Sequence, residues 1–483
     1  HGLLASWLAC LLHGLLASWL ACFVIVFLFL LSARKLCWFA CEECVCYSAA
    51  GADTMLMQWL AVAVVGVILG LFVVPKFLTA CTHSKEKSQV RGFVEKVRQA
   101  KAAGNDAMRL ELQARLDTSS SAGGVAGGKR QKQRILAIVN PHGGRKVALG
   151  VFSRVFEPLC KAIGVEVELV LTKRAKHATE IARDAVTSRR VGLIVCFSGD
   201  GMVHEVIEGV LSAASARMQV PVAVMPCGSS NGLARSFYDS VDPFDVAVKI
   251  LCHGRAHSSS LVSFSTLNAA ASPSFDVMGV SQAVIGDANY ICEGKLRWMN
   301  MLPLGSTVKD LGTAGYLISL MRKYHVHLAM RCLPRTEDEI ASGRYRDPKN
   351  TPGVKALDAP PAGASSEPGD WFELDDGWCW CETCNVSHIA QDCMPSPGLR
   401  ASDGHMDLVL SHGHTRLQLL ASFLRSETGT HIGDAWFEIY KVGELVYTPR
   451  DPQHDYYMSG ELVGTSGKPA VARCIPDKGL FWM

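Results

Sequence analysis

The stretch Phe197-Ser198-Gly199-Asp200-Gly201-Met202-Val203-His204-Glu205 decides how the rest of the chain is read. Ahead of it, Val191-Gly192-Leu193-Ile194-Val195-Cys196-Phe197 has the length and β-branched content of a buried parallel strand. Behind it, Val203, Val206, Ile207 and Val210 are spaced for one apolar face of a helix. Strand, glycine turn and helix in that order put Asp200 at the carboxyl end of a strand, where open α/β sheets bind ligands. Glycines on both sides let a phosphate approach the backbone, and the start of the helix offers it free N–H groups. A surface turn whose aspartate caps the helix would use the same residues. Taken alone, the motif does not decide between the two.

Three further stretches shift the balance. Ile135-Leu136-Ala137-Ile138-Val139 feeds Asn140-Pro141-His142-Gly143-Gly144-Arg145-Lys146, again a strand running into a glycine turn, here with cations beside it. Val222-Ala223-Val224-Met225-Pro226 feeds Cys227-Gly228-Ser229-Ser230-Asn231-Gly232, and a helical pattern follows from Leu233 to Phe237. Far downstream, Tyr456-Tyr457-Met458-Ser459-Gly460-Glu461 closes a β-rich tail. In this order and spacing the motifs resemble those of the sphingosine kinases, within the wider family of lipid kinases that share the diacylglycerol kinase catalytic domain. The likeness runs from about Arg134 to the C-terminus and leaves out the first quarter of the chain.

The resemblance implies a set of roles. Asn140, His142, Gly143, Gly144 and the segment Thr172-Lys173-Arg174-Ala175-Lys176 would hold ATP, with Arg145 and Lys146 meeting phosphate. Ser229, Arg297 and the pair Gly460 and Glu461 would complete the nucleotide site. Asp200 would act as base on the lipid's primary hydroxyl, with Ser198, Gly199 and Gly201 lining both substrates. Asp287, in Val284-Ile285-Gly286-Asp287-Ala288-Asn289, would meet the polar head of a long-chain base. Mg²⁺ is implied as the partner of ATP, with no ligand assigned. The chain also departs from the family pattern: His142 stands for an arginine, Ser230 for the second glycine of its turn, Asn289 for the second acid of a pair and Ser459 for an aspartate. Ser230 is the departure with a backbone consequence, because a strained turn favours glycine.

Composition sets the outer limits. The 483 residues allow more than one domain, and 49% of them are hydrophobic. A mean hydropathy of +0.17 is high for a soluble enzyme. A formal net charge of +3 is too mild to argue for nucleic acid. The 18 cysteines lack the spacing of a disulfide scaffold and read as reduced thiols. The chain begins at His1, not Met, and His1–Cys10 recurs as His13–Cys22, so the start is read as incomplete and the repeat as a duplication artefact.

Residues 14–33 and 54–74 are uncharged and long enough to span a bilayer, which predicts two transmembrane helices. A cleaved signal peptide explains the first run but not the second. Lys76, Lys85, Lys87, Arg91, Lys96 and Arg98 follow the second run, so the positive-inside rule puts the catalytic part on the cytoplasmic side of a multi-pass membrane protein. Arg34 and Lys35 then fall on the far side, against the same rule. Cys37, Cys41, Cys44 and Cys46 in the loop read as membrane-proximal thiols rather than a metal knuckle.

The predicted organisation is a membrane segment over 1–78, then a charged, exposed helix and Gly/Ser-rich linker over 79–134. An α/β nucleotide-binding domain with a parallel sheet follows over 135–257, and a mostly β second domain over 258–483. Residues 342–370 read by composition as a disordered insertion within the second domain. Cys379, Cys381, Cys384, His388 and Cys393 are read as part of a strand and its turn in preference to a zinc site. No P-loop and no protein-kinase signature is present.

The expected function is a membrane-anchored lipid kinase that moves the γ-phosphate of ATP to the primary hydroxyl of a sphingoid base. The alternatives are a diacylglycerol or ceramide kinase, and a membrane scaffold that has kept the fold and lost the chemistry.

Overall fold

The computed structural model describes residues 74–119, 133–188, 190–213, 217–267, 272–289, 291, 323–412, 415–450, 455–464 and 467–483. The chain forms two compact units, one of His1–Lys85 with Met301–Leu304, the other of Glu86–Asn300 with Gly305–Met483. Of the first, the described part is a stretch of helix.

Two helices lead in, α1 (Val74–Ala102) and α2 (Ala107–Ser119). The strands β1 (Arg134–Val139), β2 (Val167–Leu171), β3 (Val191–Ser198) and β4 (Val222–Pro226) then form a parallel sheet in the order β2-β1-β3-β4. Every residue of β3 is buried, as its unbroken apolar run requires of a strand covered on both faces. In register, Ile138 faces Cys196, and Cys196 faces Val224. The covering helices are α3 (Ala148–Val151), α4 (Glu157–Ile163), α5 (His177–Ser188) and α6 (Asp200–Ala213). The α6 residues Val203, Val206, Ile207 and Val210 are all buried, on the face their spacing predicted. Phe152 and Phe156 stand edge-on to Phe197 at centroid distances of 5.5 and 5.2 Å, fixing the end of β3.

After β4 come α7 (Gly232–Tyr238) and α8 (Pro243–Val248), and from there the regular structure of the described residues is mostly strand. The strands are β5 (Ala256–Thr266), β6 (Ser274–Asp276), β7 (Gly279–Gln282), β8 (Tyr324–Cys332), β9 (Lys355–Leu357), β10 (Asp370–Trp378), β11 (Trp380–Cys384), β12 (Met406–Ser411), β13 (Phe437–Pro449), β14 (Tyr456–Met458), β15 (Glu461–Gly464) and β16 (Ala470–Trp482). Among the described residues three α-helices interrupt them: α9 (Ala283–Asn289), α10 (Glu337–Ser342) and α11 (Arg416–Ser426). The final strand joins the halves. β16 runs antiparallel to β5 and β13 and pairs Phe481 with Val222 of β4, so a single 16-stranded sheet is continuous across the predicted domain boundary. Tyr238 donates to the carbonyl of Trp482 at 2.7 Å and Trp482 Nε1 to that of Ile250 at 2.9 Å, which locks this seam.

Two expectations are corrected. The charged helix of the linker region is two helices with buried faces: Val90, Val97, Leu112 and Leu116 are inside, and Arg115 donates to the carbonyls of Gly254 and Cys252 at 2.6 and 3.1 Å. Residues 342–370, expected to be disordered, carry β9, which pairs with β10. Their anchors are few but buried. Arg344 and Tyr345 reach the fully buried Asp407, and the amide of Ser365 donates to the fully buried Glu444 at 2.8 Å. Composition cannot register a tether of this kind, because its partners lie 60 to 80 residues away in sequence.

Cys381 and Cys384 are buried in β11, with Cys379 at the break before it. Among the described residues no cluster of three or more His, Cys, Asp or Glu side chains could hold a metal ion. The predicted spans at 14–33 and 54–74, the cysteines at 37–46 and the body of the Gly/Ser linker lie outside the described residues, apart from Val74 itself. Among the described residues no helix is long and apolar enough to cross a membrane.

Candidate active site

The turns that follow β1, β3 and β4 meet at the carboxyl edge of the parallel sheet. The amide of Asn140 donates to the carbonyl of Phe197 at 3.2 Å, bringing the first turn onto the second. The third turn is packed on both. A Cβ on Gly228 would lie 2.3 Å from Cα of Gly199, and one on Gly144 would lie 3.2 Å from Cα of Gly228. Gly144 also has φ +46°, which favours glycine a second time. Asn231 then fixes the third turn from within: its Oδ1 accepts the Gly228 amide at 2.8 Å and its Nδ2 donates to the Gly228 carbonyl at 3.1 Å. Asn231 is the left-handed residue of this turn, with φ +54°. Ser230 lies outside the left-handed region, so a side chain there costs the turn nothing.

Asp200 sits beneath these turns, 7% exposed. Its two oxygens accept the amides of Gly232 at 3.0 Å and Leu233 at 3.2 Å, the first residues of α7. The side chain therefore joins the start of its own helix to the start of the next. Burial pushes its carboxyl up to about 6, against the pull of those amides and with a further push from the charge of Asp276. A carboxylate has about four acceptor sites, and two are used, so both amide bonds leave room for a hydroxyl.

Residues 134–264 match the diacylglycerol kinase catalytic domain. The chain is 28% identical over 326 residues to sphingosine kinase 2 of Arabidopsis thaliana, covering 66% of this chain and 65% of that one. It is 28% identical over 364 residues to human sphingosine kinase 1, covering 71% of this chain and 89% of that one. The matches span 65% and 64% of the two Arabidopsis sphingosine kinases, just under two thirds of their length. A crystal structure of a diacylglycerol kinase from Bacillus anthracis str. Sterne is a distant likeness, with a TM-score of 0.45 and 14% identity over 72% of this chain and 96% of that one.

Within this stretch the expected phosphate-binding residues fall around the three turns. Asn140 Oδ1 accepts the amide of His142 at 3.0 Å, and His142 is exposed beside Gly143. Arg145 Nε donates to the Gly228 carbonyl at 3.1 Å, bracing the first turn against the third while its side chain stays at the surface. Lys146 and Lys176 are exposed and left-handed, at φ +56° and +60°. Thr172 is buried, its amide bonded to the end of β1, and Lys173 donates its amide to His177 Nδ1. Arg174 pairs with both oxygens of Glu180 at 2.7 Å, an exposed ion pair weak enough to exchange for a phosphate. Ser198 ends β3 almost buried, and Ser229 is exposed.

The β14–β15 turn reaches the same place from the far end of the chain. Ser459 and Gly460, at φ +47° and +82°, form a hairpin turn with both central residues left-handed. Glu461 Oε1 would lie 3.2 Å from a Cβ on Gly201, so the turn faces the residue next to Asp200. Asp287 lies on α9, where its Oδ2 accepts the Tyr324 hydroxyl, while neighbouring Gly286 packs on the ring of Tyr457. Arg297 lies outside the described residues.

Sequence reasoning assigned no role to His204, Asn231, Asp276 or Glu382, though two of them stand inside quoted motifs. Asn231 could have been found from the left-handed preference of Asn after a glycine turn. Asp276 and Glu382 carried no local signal.

Proposed function

We propose that this chain is an ATP-dependent lipid kinase whose acceptor is the primary hydroxyl of a sphingoid base. The observation that carries the reading is the convergence of three glycine turns on one buried carboxylate, Asp200. Phosphoryl transfer asks a protein mainly for positioning and for a cradle of donors. Close-packed turns at strand ends supply such donors from the backbone. In this reading the turns at Asn140–Lys146, Ser198–Gly201 and Gly228–Asn231 hold the nucleotide phosphates, with Arg145, Lys146 and the Thr172–Lys176 segment at the rim. Ser229, Gly460, Glu461 and, from the resemblance alone, Arg297 complete the nucleotide site.

Asp200 takes the proton of the lipid hydroxyl while the hydroxyl oxygen bonds to the γ-phosphorus and the bond to the departing ADP breaks. Burial makes Asp200 a stronger base than an exposed aspartate, and its two amide bonds hold it in one orientation. Mg²⁺, when bound with ATP, neutralises phosphate charge; no side chain is assigned to it. Asp287 lies on the acceptor side, where its charge favours a lipid carrying an ammonium. The sphingosine kinases among the relatives support this choice of acceptor. The apolar runs at 14–33 and 54–74, followed by cations, support anchorage in a membrane with the kinase facing the cytoplasm.

The test is to incubate the purified chain with labelled ATP and separate micelles of sphingosine, ceramide and diacylglycerol. Label is expected on sphingosine first. Transfer to diacylglycerol alone would overturn the acceptor, and transfer to none would overturn the kinase. Anchorage is tested by an alkaline wash, after which the protein is expected in the membrane pellet; release into the supernatant overturns it.

A further inference from the structure

One turn beyond Asp200, on the same face of α6, stands His204. Its Nδ1 lies 3.6 Å from Oδ2 of Asp276, the last residue of β6. Asp276 has no exposed surface, and its Oδ1 is held by the amides of Val277 at 2.6 Å and Met278 at 3.1 Å. That grip aims Oδ2 at the imidazole. Both facing atoms are buried, and neither makes a hydrogen bond. Leaving a carboxylate oxygen and a ring nitrogen buried in this way is costly unless they serve one another. The helix is tied to the same strand once more by Glu208, whose Oε1 accepts the Phe275 amide at 2.8 Å. The imidazole retains 11% exposure, so one edge of the ring remains open.

We propose that His204 and Asp276 form a positioning dyad for Asp200, in which Asp276 orients the imidazole and the pair together sets the basicity of Asp200. The inference rests on the reading of Asp200 as the base. Burial, an oriented imidazole and a carboxylate behind it are the ingredients by which sites tune a neighbouring acid. The other groups around Asp200 are accounted for. The amides of Gly232 and Leu233 come from α7, Glu461 faces Gly201 from the β14–β15 turn, and Ser198 comes from β3. Arg145 lies across the Gly228 carbonyl, and α5 presents Thr179, which donates to the Glu205 carbonyl at 3.0 Å. Asp276 is the acid among them whose charge raises the Asp200 carboxyl.

The experiment compares the pH dependence of kcat/KM for lipid phosphorylation in the wild type, Asp276→Asn and His204→Gln. Asp276→Asn removes a negative charge at constant shape and is expected to move the acidic limb to lower pH. His204→Gln takes away the ring nitrogen that faces Oδ2 of Asp276 and is expected to move it to higher pH. Shifts of about one unit are expected, as for a near charge. A merely structural pair would lower activity in both variants without moving either limb in opposite directions, and that result overturns the proposal. The second measurement needs no activity: ¹⁵N-histidine spectra of the full chain, wild type against Asp276→Asn. The His204 ring nitrogens are expected to shift when the carboxylate is lost, and unchanged signals overturn the dyad. If the wild type phosphorylates no lipid while these signals do shift, the kinase reading fails and the dyad stands.

Discussion

Gly199 and Gly228, from turns after different strands, are in backbone contact so close that a Cβ on Gly228 would sit 2.3 Å from Cα of Gly199. The contact leaves no room for a side chain and none for the chain to yield, since Asn231 clamps the Gly228 amide and carbonyl together. Gly228→Ala should therefore push the third turn off the second, at a cost of about 1–3 kcal/mol. Nucleotide affinity should fall at least about tenfold by calorimetric titration, in step with a lower melting temperature. An alanine variant with unaltered ATP affinity would show that the three turns do not act as one cradle.

Asp200→Asn keeps size and removes basicity, so turnover should fall by about 10²–10⁴-fold. The wild type offers a second check. With its carboxyl raised to about 6, Asp200 is ionised, and so able to take a proton, only above that pH. The rate should drop as pH falls through 6, two units above where an exposed aspartate would begin to lose its charge. A profile flat down to pH 4.5 would move the base elsewhere.

What the sequence disclosed here and what it withheld follow from the range of the interactions. Val191–Phe197 announces a buried strand because every residue must be apolar, and Val203 to Val210 announce a helix face by their spacing. Such signals are local. The bond from Asp200 to Leu233 spans 33 positions, and the approach of His204 to Asp276 spans strands and helices whose packing no period encodes. The Pro- and Gly-rich run at 342–370 looked disordered for the same reason. Its order comes from Asp407 and Glu444, buried in distant strands. The continuity of the sheet was equally hidden, because β4 meets the last strand of the chain through the single pair Val222 and Phe481.

Glu382 offers a test of the β-rich half alone. It is 2% exposed in β11; one oxygen accepts Ser281 Oγ at 2.6 Å, and the other is buried without a hydrogen-bond partner. Burial raises its carboxyl to about 8. Between about 4.5 and 8 the folded chain thus holds a proton that the unfolded chain has released. Stability is greatest at the acidic end of that window and declines as pH rises through it, by up to about 1.4 kcal/mol per unit. Glu382→Gln should flatten the decline in urea melts taken at pH 5 to 8. Parallel curves for the variant and the wild type would mean that the site is wetter than its burial implies.

On the proposed reading, the choice of lipid turns on Asp287. A sphingoid base carries an ammonium next to the hydroxyl that receives phosphate, whereas ceramide and diacylglycerol carry no charge there. A carboxylate beside the bound head group attracts the first and is indifferent to the others. A hydrogen bond to a charged group is worth about 1.5–3 kcal/mol, or about ten- to a hundredfold in preference. The family pattern has two acids at this point of the sequence; with Asn289 in the second position, the lower end of that range is expected. The Tyr324 hydroxyl already donates to Asp287 Oδ2, which holds the carboxylate in place on α9 and occupies part of its acceptor capacity. Asp287→Asn should then erode kcat/KM on sphingosine by about tenfold while leaving any activity on diacylglycerol within about twofold. Tyr324→Phe should leave the preference for sphingosine in place, since the charge remains and loses only a competitor. If Asp287 does no more than brace α9 through Tyr324, both variants should lower activity on charged and neutral acceptors alike, and the case for sphingosine would then rest on the relatives and no longer on this residue.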